Sequence, residues 1–265
     1  MKKKLLALSL VAAMAVGVFA GCSSSEEPAE TTEGTEEGAE ATGEKYIIAT
    51  DTVFPPFEFT NEDGDFVGID VDIINAIAED QGIDVEIQSL GFDAALLAVQ
   101  SGQADGVIAG MSITDERKQS FDFSEPYFDA DVTMAVAKGS DVKSYEDLAG
   151  KTVAVKTATN GADFAKSIAD EYGFTVVEFK DSPTMYQDVI AGNTAACFED
   201  YPVMAYNIQQ GAELEMPEGA TAAGTQYGFA VAKGQNAELL EKFNAGFANI
   251  KENGKFQEIV DTYTK

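Results

Sequence analysis

The sequence predicts an α/β protein with two lobes, each built on a mostly parallel sheet flanked by helices. Short apolar segments alternate with amphipathic helical segments, the pattern of parallel sheets covered on both faces. The same order of elements occurs twice along residues 45–265. Two extended segments, at 127–137 and 227–231, follow the two halves, so the chain can cross between the lobes twice.

The first half is predicted to alternate strands and helices. One helix is well marked, because Ile73, Ile74 and Ile77 share one face and Gly82 follows as a stop signal. We predict strands at 46–49, 85–87 and 106–109, helices at 71–81 and 93–101, and a helix start at 114–117.

The second half repeats this order and is followed by two closing helices. The return crossing allows the closing helices to pack on the first lobe. The predicted first lobe therefore comprises residues 45–129 and 227–265, and the second lobe residues 130–226. We predict strands at 152–155, 175–179 and 195–198 and helices at 161–171, 183–191, 237–251 and 255–263.

The amino-terminal 44 residues have the features of an export signal and a tether. Three lysines precede an apolar segment at 5–19, which is short for a membrane span, and small residues precede Cys22. This arrangement resembles a bacterial lipoprotein signal, which implies that residues 1–21 are removed and Cys22 is lipidated. Residues 23–44 are acidic and lack large apolar side chains, so we expect a disordered linker over 22–44.

The composition excludes several classes of function. The formal net charge is −29, which argues against nucleic acid as a partner. No histidine is present, so the usual general base and the usual zinc ligand are missing, and no EF-hand spacing occurs. If Cys22 is lipidated, Cys197 has no partner within the chain. We expect no cofactor, no metal and a monomer.

The candidate site follows from the carboxyl ends of the predicted strands, where open α/β sheets bind ligands. The segments there combine two aromatic rings, one arginine, one lysine, several hydroxyls and carboxylates that include Asp51, Glu199 and Asp200. This set suits a zwitterion, with Arg117 for a carboxylate and Asp200 for an ammonium. The segments are 51–54, 91–92 and 109–117 in the first lobe and 156–160 and 199–200 in the second.

Each of these residues also has a structural interpretation. Phe54 and Phe92 could be core aromatics, and Lys156 could be a surface lysine at a strand end. Asp200 could cap the helix that begins at Tyr201-Pro202. Arg117 could steady the start of the element that follows Thr114.

Several segments, taken in order, resemble the polar amino-acid-binding proteins of ABC transporters, most closely the glutamine-binding type. The resemblance extends from about Tyr46 to the carboxyl terminus and implies the type II periplasmic-binding-protein fold, with the ligand cleft between the lobes. The matching segments read ATDTVF, PFEF, GIDVD, AGMSITDER, DFS, VAVK and QYG, at 49–54, 56–59, 68–72, 109–117, 122–124, 153–156 and 226–228.

The resemblance also implies a role for each site residue. Arg117 takes the ligand's α-carboxylate, with help from Ser112, Thr159 and backbone N–H groups near Gly110 and Asn160. Asp200 and the carbonyl of Ala109 take the α-ammonium. Phe54 and Phe92 enclose the side-chain stem, and Asp51 and Lys156 lie near its tip.

Two departures from the glutamine-binding type bear on the ligand. Residues 158–160 read Ala-Thr-Asn where that type has Gly-Thr-Gly, and Glu199 stands where it has histidine. We expect Lys156 and Glu199 together to set the preference for the ligand's side chain. Glutamine is the first expectation, and arginine or lysine is the alternative.

We therefore expect an extracytoplasmic lipoprotein on the outer face of the cell membrane. It would bind a free polar L-amino acid by hinge closure and deliver it to an ABC permease. A dehydratase-like enzyme on the same fold and a ligand-sensing receptor module are the other classes. The absence of histidine disfavours the enzyme.

Overall fold

The computed structural model of the protein describes residues 45–265, so the predicted signal peptide, Cys22 and the acidic linker lie outside the described residues. The strands are β1 Lys45–Thr50, β2 Phe59–Thr60, β3 Phe66–Val67, β4 Asp84–Ser89, β5 Gly106–Val107, β6 Phe121–Phe123, β7 Phe128–Ala137, β8 Thr152–Lys156, β9 Thr175–Phe179, β10 Ala196–Asp200, β11 Leu214–Glu215, β12 Thr221–Tyr227 and β13 Ala230–Ala232. The helices are α1 Ile69–Gln81, α2 Phe92–Gln100, α3 Asn160–Tyr172, α4 Ser182–Ile190, α5 Tyr201–Gln209, α6 Ala237–Glu252 and α7 Lys255–Thr264.

The first lobe is organised by a sheet with the strand order β4-β1-β5-β13-β6. Strands β4, β1 and β5 are parallel, while β13 is antiparallel to both β5 and β6. The parallel strands come from the alternating first half, and β13 is supplied by the returning chain. The carboxyl ends of β1 and β5 therefore lie side by side at one edge.

The second lobe repeats this plan with the order β11-β7-β10-β8-β9, and β12 pairs with β7. Strands β10, β8 and β9 are parallel, and β7 runs antiparallel to β10, β11 and β12. Each sheet thus has a parallel part of three strands extended by antiparallel strands. This confirms the predicted α/β class, with more antiparallel pairing than the sequence indicates.

Two antiparallel strands connect the lobes, and we call residues 128–131 of β7 and 224–227 of β12 the crossing pair. Its side chains support the backbone ladder: Gln226 Nε2 donates to Asp129 Oδ1 at 2.8 Å, and the Gly224 amide donates to Asp131 Oδ1 at 2.8 Å. The register shifts between Ala222 and Thr225. A Cβ on Gly224 would lie 1.8 Å from the carbonyl oxygen of Ala130, so only glycine fits there.

The closing helices pack on the first lobe, as the return crossing allows. Ile73, Ile74 and Ile77 of α1 are fully buried in a cluster that also contains Phe243 and Phe247 of α6. The two helices approach closely at Gly246, where a Cβ would lie 2.8 Å from Ile77. No helix within residues 45–265 is long and apolar enough to cross a membrane.

One predicted element differs from the structure. The segment 114–117 does not start an α-helix; a single 3₁₀ turn covers Arg117–Gln119. Thr114 Oγ1 accepts a hydrogen bond from the Arg117 amide at 3.2 Å. The turn is short because Phe121 enters β6 two residues after it ends.

Candidate functional site

A small cavity lies where the strand ends of the two lobes face each other. Larger grooves elsewhere, such as the one beside Glu79 and Lys255, are open to solvent and contain none of the predicted site residues. Ten of the twelve predicted ligand-binding residues line the cavity: Phe54, Phe92, Ala109, Gly110, Ser112, Arg117, Lys156, Thr159, Asn160 and Asp200.

Arg117 is fixed by contacts to both lobes. Its Nη1 donates to the carbonyl of Ser112 at 2.8 Å, and its Nη2 donates to the carbonyl of Ala158 at 2.8 Å. The guanidinium carbon lies 5.3 Å from the centroid of the Phe92 ring. A guanidinium has five N–H donors, so these two bonds leave donors for an anion in the cavity.

The second-lobe loop that faces Arg117 is held in a strained conformation. Ala158 has a φ of 63°, in the left-handed region that favours glycine. The cost of keeping alanine is of order 1 kcal/mol or more. In this conformation the Ala158 carbonyl accepts the hydrogen bond from Arg117.

Thr159 and Asn160 begin helix α3 at the cavity. Thr159 is the N-cap: its Oγ1 accepts from the Ala162 amide at 3.2 Å and donates to the Lys156 carbonyl at 2.8 Å. The first amides of a helix have no partner within the helix and carry its positive end, which favours an anion. The hydroxyl of Thr159 is thus used by the turn, while the backbone at Asn160 is suited to a carboxylate.

Lys156 and Asp51 form an ion pair across the two lobes. Lys156 Nζ contacts Asp51 Oδ2, and the two side chains are 2% and 1% exposed. The ammonium also lies 4.2 Å from the centroid of the Phe54 ring and 5.6 Å from that of Phe92. Asp51 itself does not line the cavity. It is connected to the cavity by its ion pair with Lys156. A buried pair of this kind is electrically neutral toward a ligand.

Asp200 is a buried carboxylate at the end of β10, 5% exposed. Tyr227 of the crossing pair donates a hydrogen bond from its hydroxyl to Asp200 Oδ2 at 2.5 Å. Burial and the neighbouring charge of Glu199 together raise the pKa of Asp200 to about 7, against the lowering effects of Tyr227 and Arg117. A cation placed beside Asp200 would therefore be strongly favoured.

Glu199 does not face the cavity, contrary to the prediction. Its Oε2 accepts from the hydroxyls of Ser182 at 2.6 Å and Tyr186 at 2.9 Å, and its Oε1 accepts from the Asp200 amide at 3.0 Å. Consecutive residues of a strand point to opposite faces of the sheet. If Asp200 faces the cleft, Glu199 must face α4, so the two cannot both contact a ligand.

Gly110 lines the cavity, and its own amide is used within the protein. The Gly110 N–H donates to Asp70 Oδ2 at 2.7 Å. The residue has a φ of 53°, and a Cβ would lie 2.7 Å from the Phe54 ring. Glycine is therefore required here for backbone conformation and for close approach of the aromatic ring.

Residues 109–117, which we call the ligand-facing loop, are also joined to the crossing pair. Ser112 forms an isolated β-bridge with Tyr227, and the Ile113 amide donates to the Gln226 carbonyl at 2.7 Å. The sequence did not identify Tyr227 as a partner of Asp200 or Asp70 as a partner of Gly110. No local pattern could have done so, because these contacts join residues 27 and 40 positions apart.

Comparisons with known proteins agree with this architecture. Residues 46–265 match bacterial extracellular solute-binding proteins, family 3. The arginine-binding extracellular protein ArtP of Bacillus subtilis is 31% identical over 98% of this chain and 96% of its own length. Substrate-binding domain 2 of Lactococcus lactis GlnP, solved in an open conformation, is 46% identical over 84% of this chain and 96% of that one, with a TM-score of 0.60. An ancestral arginine-binding protein bound to glutamine is 40% identical over 83% and 97%, with a TM-score of 0.76.

Proposed function

The chain belongs to the bacterial extracellular solute-binding proteins, family 3, as an amino-acid-binding component of an ABC transporter, and we propose that its ligand is glutamine. Its two-lobed α/β fold is the type II periplasmic-binding-protein fold. The observation that carries the proposal is one cavity lined by Arg117, Asp200 and Lys156, whose charge is neutralised by Asp51. Members of this family are solute-binding proteins, and we assign the site no catalytic role.

Arg117 and Asp200 supply complementary charges for the two groups common to all amino acids. The guanidinium and the amino end of α3 would take the α-carboxylate. Asp200, with the Ala109 carbonyl, would take the α-ammonium. An isolated Asp200 carboxylate is costly in this buried place, and a bound ammonium would offset that cost. The proposed contacts are thus matched in sign to a zwitterion.

The ion pair favours a neutral, hydrogen-bonding side chain. A side-chain amide is neutral, and its carbonyl can accept a hydrogen bond from Lys156. A cationic side chain would meet the Lys156 ammonium, and an anionic one would compete with Asp51. Phe54 and Phe92 provide apolar faces for the methylene stem. Arginine is the second candidate, because ArtP is an arginine-binding relative.

Closure of the lobes would be the mechanism of capture. The bonds from Arg117 to Ala158 and from Lys156 to Asp51 join the lobes directly. The TM-score is higher with the glutamine-bound ancestral protein than with the open GlnP domain, although the identity is lower, which supports a closed arrangement here. A ligand that contacts both lobes stabilises this state by its differential affinity. The crossing pair would be the hinge.

The choice of ligand can be tested by calorimetry with glutamine, glutamate, arginine and lysine. We expect the wild-type protein to bind glutamine best. Asp51→Asn keeps the volume and removes one charge, so Lys156 would be left unpaired. The variant should bind arginine and lysine about tenfold more weakly and glutamate about tenfold more tightly than the wild type. These changes correspond to about 1.4 kcal/mol for one charge contact.

Glu199→Gln provides the matched control, because it removes a buried carboxylate charge outside the cavity. It should leave the order of the four ligands unchanged. Tighter binding of arginine than of glutamine by the wild-type protein, abolished by Asp51→Asn, would identify a cationic ligand and overturn the assignment of glutamine.

We further propose that the protein is a monomeric lipoprotein attached through Cys22 to the outer face of the membrane. The support is the short apolar segment that ends at Ala20-Gly21-Cys22. Cys22→Ala should release the protein from the membrane fraction or block its processing. A variant that stays as firmly membrane-bound as the wild type would contradict the anchor.

A further inference from the structure

A second pair of carboxyl groups, Glu58 and Asp70, lies beneath the ligand-facing loop, and both side chains are 0% exposed. Asp70 Oδ2 accepts hydrogen bonds from the Gly110 amide at 2.7 Å and from the Tyr127 hydroxyl at 2.8 Å. Asp70 therefore joins three parts of the molecule: helix α1, the loop that carries Gly110, and Tyr127, the residue that precedes the crossing pair. It is the acceptor that orients the Gly110 peptide.

Three buried oxygens of this pair have no N–H or O–H donor within residues 45–265: Glu58 Oε1, Glu58 Oε2 and Asp70 Oδ1. The backbone brings the two residues together, because the Asp70 amide donates to the carbonyl of Phe57, the residue before Glu58, at 2.9 Å. Two ionised carboxylates cannot hydrogen-bond to each other, and burying both charges side by side is very costly. One proton shared by the pair turns this repulsion into a hydrogen bond.

The surroundings indicate which group holds the proton. Asp70 receives two hydrogen bonds and lies in the first turn of α1, where the helix dipole favours a negative charge. Glu58 has neither kind of support. Burial raises the pKa of Glu58 well above its ordinary value, and the charges of Asp70 and Asp51 raise it further against a lowering effect of Lys156. The hydroxyl of Tyr127 is the other titratable group beside the pair.

We propose that Glu58 is a positioning residue that carries a proton and donates it in a hydrogen bond to Asp70, which thereby holds the Gly110 peptide and the ligand-facing loop in place. This inference rests on the proposed function, because it assigns that loop to ligand binding. Glu58 does not touch the ligand. It acts through Asp70, and its contribution depends on keeping the proton.

A proton on Glu58 also makes the stability of the empty protein depend on pH. The folded protein holds the proton while an unfolded glutamate has lost it, so unfolding releases one proton and stability falls as the pH rises. As the pH rises above 4.5, and until the buried carboxyl loses its proton, the unfolding constant of the empty wild-type protein should increase more steeply than that of Glu58→Gln, by up to about tenfold per pH unit. Glutamine is the matched variant because its amide can still donate to Asp70 but cannot titrate.

Urea unfolding of the empty protein across this pH range, with calorimetry of glutamine binding at the same pH values, tests the proposal. Glu58→Gln should bind within about threefold of the wild type at pH 7.5. At pH values high enough to remove the proton from Glu58, the wild-type affinity should decline relative to that of Glu58→Gln. Glu58→Leu, which lacks a donor, should bind about tenfold more weakly than Glu58→Gln.

The outcomes separate this inference from the proposed function. Equal pH slopes of unfolding for the wild type and Glu58→Gln would overturn the proton on Glu58. A proton found by unfolding together with identical pH profiles of binding would overturn the positioning role. If the wild-type protein binds no amino acid at any pH, the proposed function fails and the positioning role fails with it, whereas a tenfold difference in slope would still establish the proton. If Glu58→Leu does not fold, the pH profiles of the wild type and Glu58→Gln decide the question.

Discussion

Replacing Arg117 with alanine is expected to weaken amino-acid binding by at least about 30-fold, which corresponds to about 2 kcal/mol, and by up to about 5 kcal/mol. The reason is that the ligand's carboxylate would be buried without its principal cation. The loss should be similar for every amino acid that binds, because all of them carry the α-carboxylate. Arg117→Lys should lose less, since it keeps the charge but not the planar, two-bond geometry.

The control for Arg117→Ala is the melting temperature of the empty protein. Arg117 also donates to the carbonyls of Ser112 and Ala158, so a structural role would lower the melting temperature without selective loss of binding. We expect a small decrease in melting temperature together with the large loss of affinity. Near-normal binding by a folded Arg117→Ala variant would remove Arg117 from the site.

Asp200→Asn is expected to have the second largest effect, again about 30-fold or more, because the variant removes the anion that pairs with the ligand's ammonium. The variant keeps the size of the side chain and an oxygen acceptor for the Tyr227 hydroxyl. Tyr227→Phe is the matched comparison. It removes the donor to Asp200 at 2.5 Å but leaves the carboxylate, so its loss should be smaller.

The pH dependence of binding distinguishes Asp200 from other acids. The pKa of Asp200 in the empty site is raised to about 7, whereas an ammonium is bound only by the ionised form. Wild-type affinity should therefore decrease as the pH falls below about 7, by up to tenfold per pH unit. Asp200→Asn should flatten this acid limb. An unchanged limb in the variant would assign the titration to another group.

The same raised pKa has the opposite sign for the stability of the empty protein. A carboxyl whose pKa is higher in the folded than in the unfolded chain contributes stability that is complete below the unfolded value of 3.8. That contribution is lost as the pH rises through about 7. Ligand binding and stability of the empty protein should thus respond to pH in opposite directions between pH 4 and 7.

Much of the site could be predicted from the sequence because of one geometric rule. The carboxyl ends of parallel strands meet at one edge, so the residues that follow predicted strands were expected to converge, and ten of twelve line the cavity. Glu199 does not line the cavity, for an equally simple reason. Adjacent strand residues face opposite sides, so a cleft-facing Asp200 implies that Glu199 faces away from the cleft. There it accepts hydrogen bonds from Ser182 and Tyr186.

The remaining contacts could not be inferred from local patterns. Gly110 has the backbone conformation expected of a ligand loop, but its amide is committed to Asp70, forty residues earlier in the chain. The Asp51–Lys156 ion pair forms only when the two lobes are close together. The periodicity of the sequence gives no information on the distance between the lobes. Tyr227 was assigned to a crossing segment, and its bond to Asp200 requires the tertiary fold.

The most direct test of the account is calorimetry of the wild-type protein with glutamine and two analogues. One is 4-aminobutanamide, which lacks the α-carboxylate, and the other is glutaramic acid, which lacks the α-ammonium. We predict one bound glutamine per chain and a loss of about 30-fold or more for each analogue, because each leaves Arg117 or Asp200 without its partner. Binding of either analogue as tightly as glutamine would contradict recognition of a zwitterionic amino acid between Arg117 and Asp200.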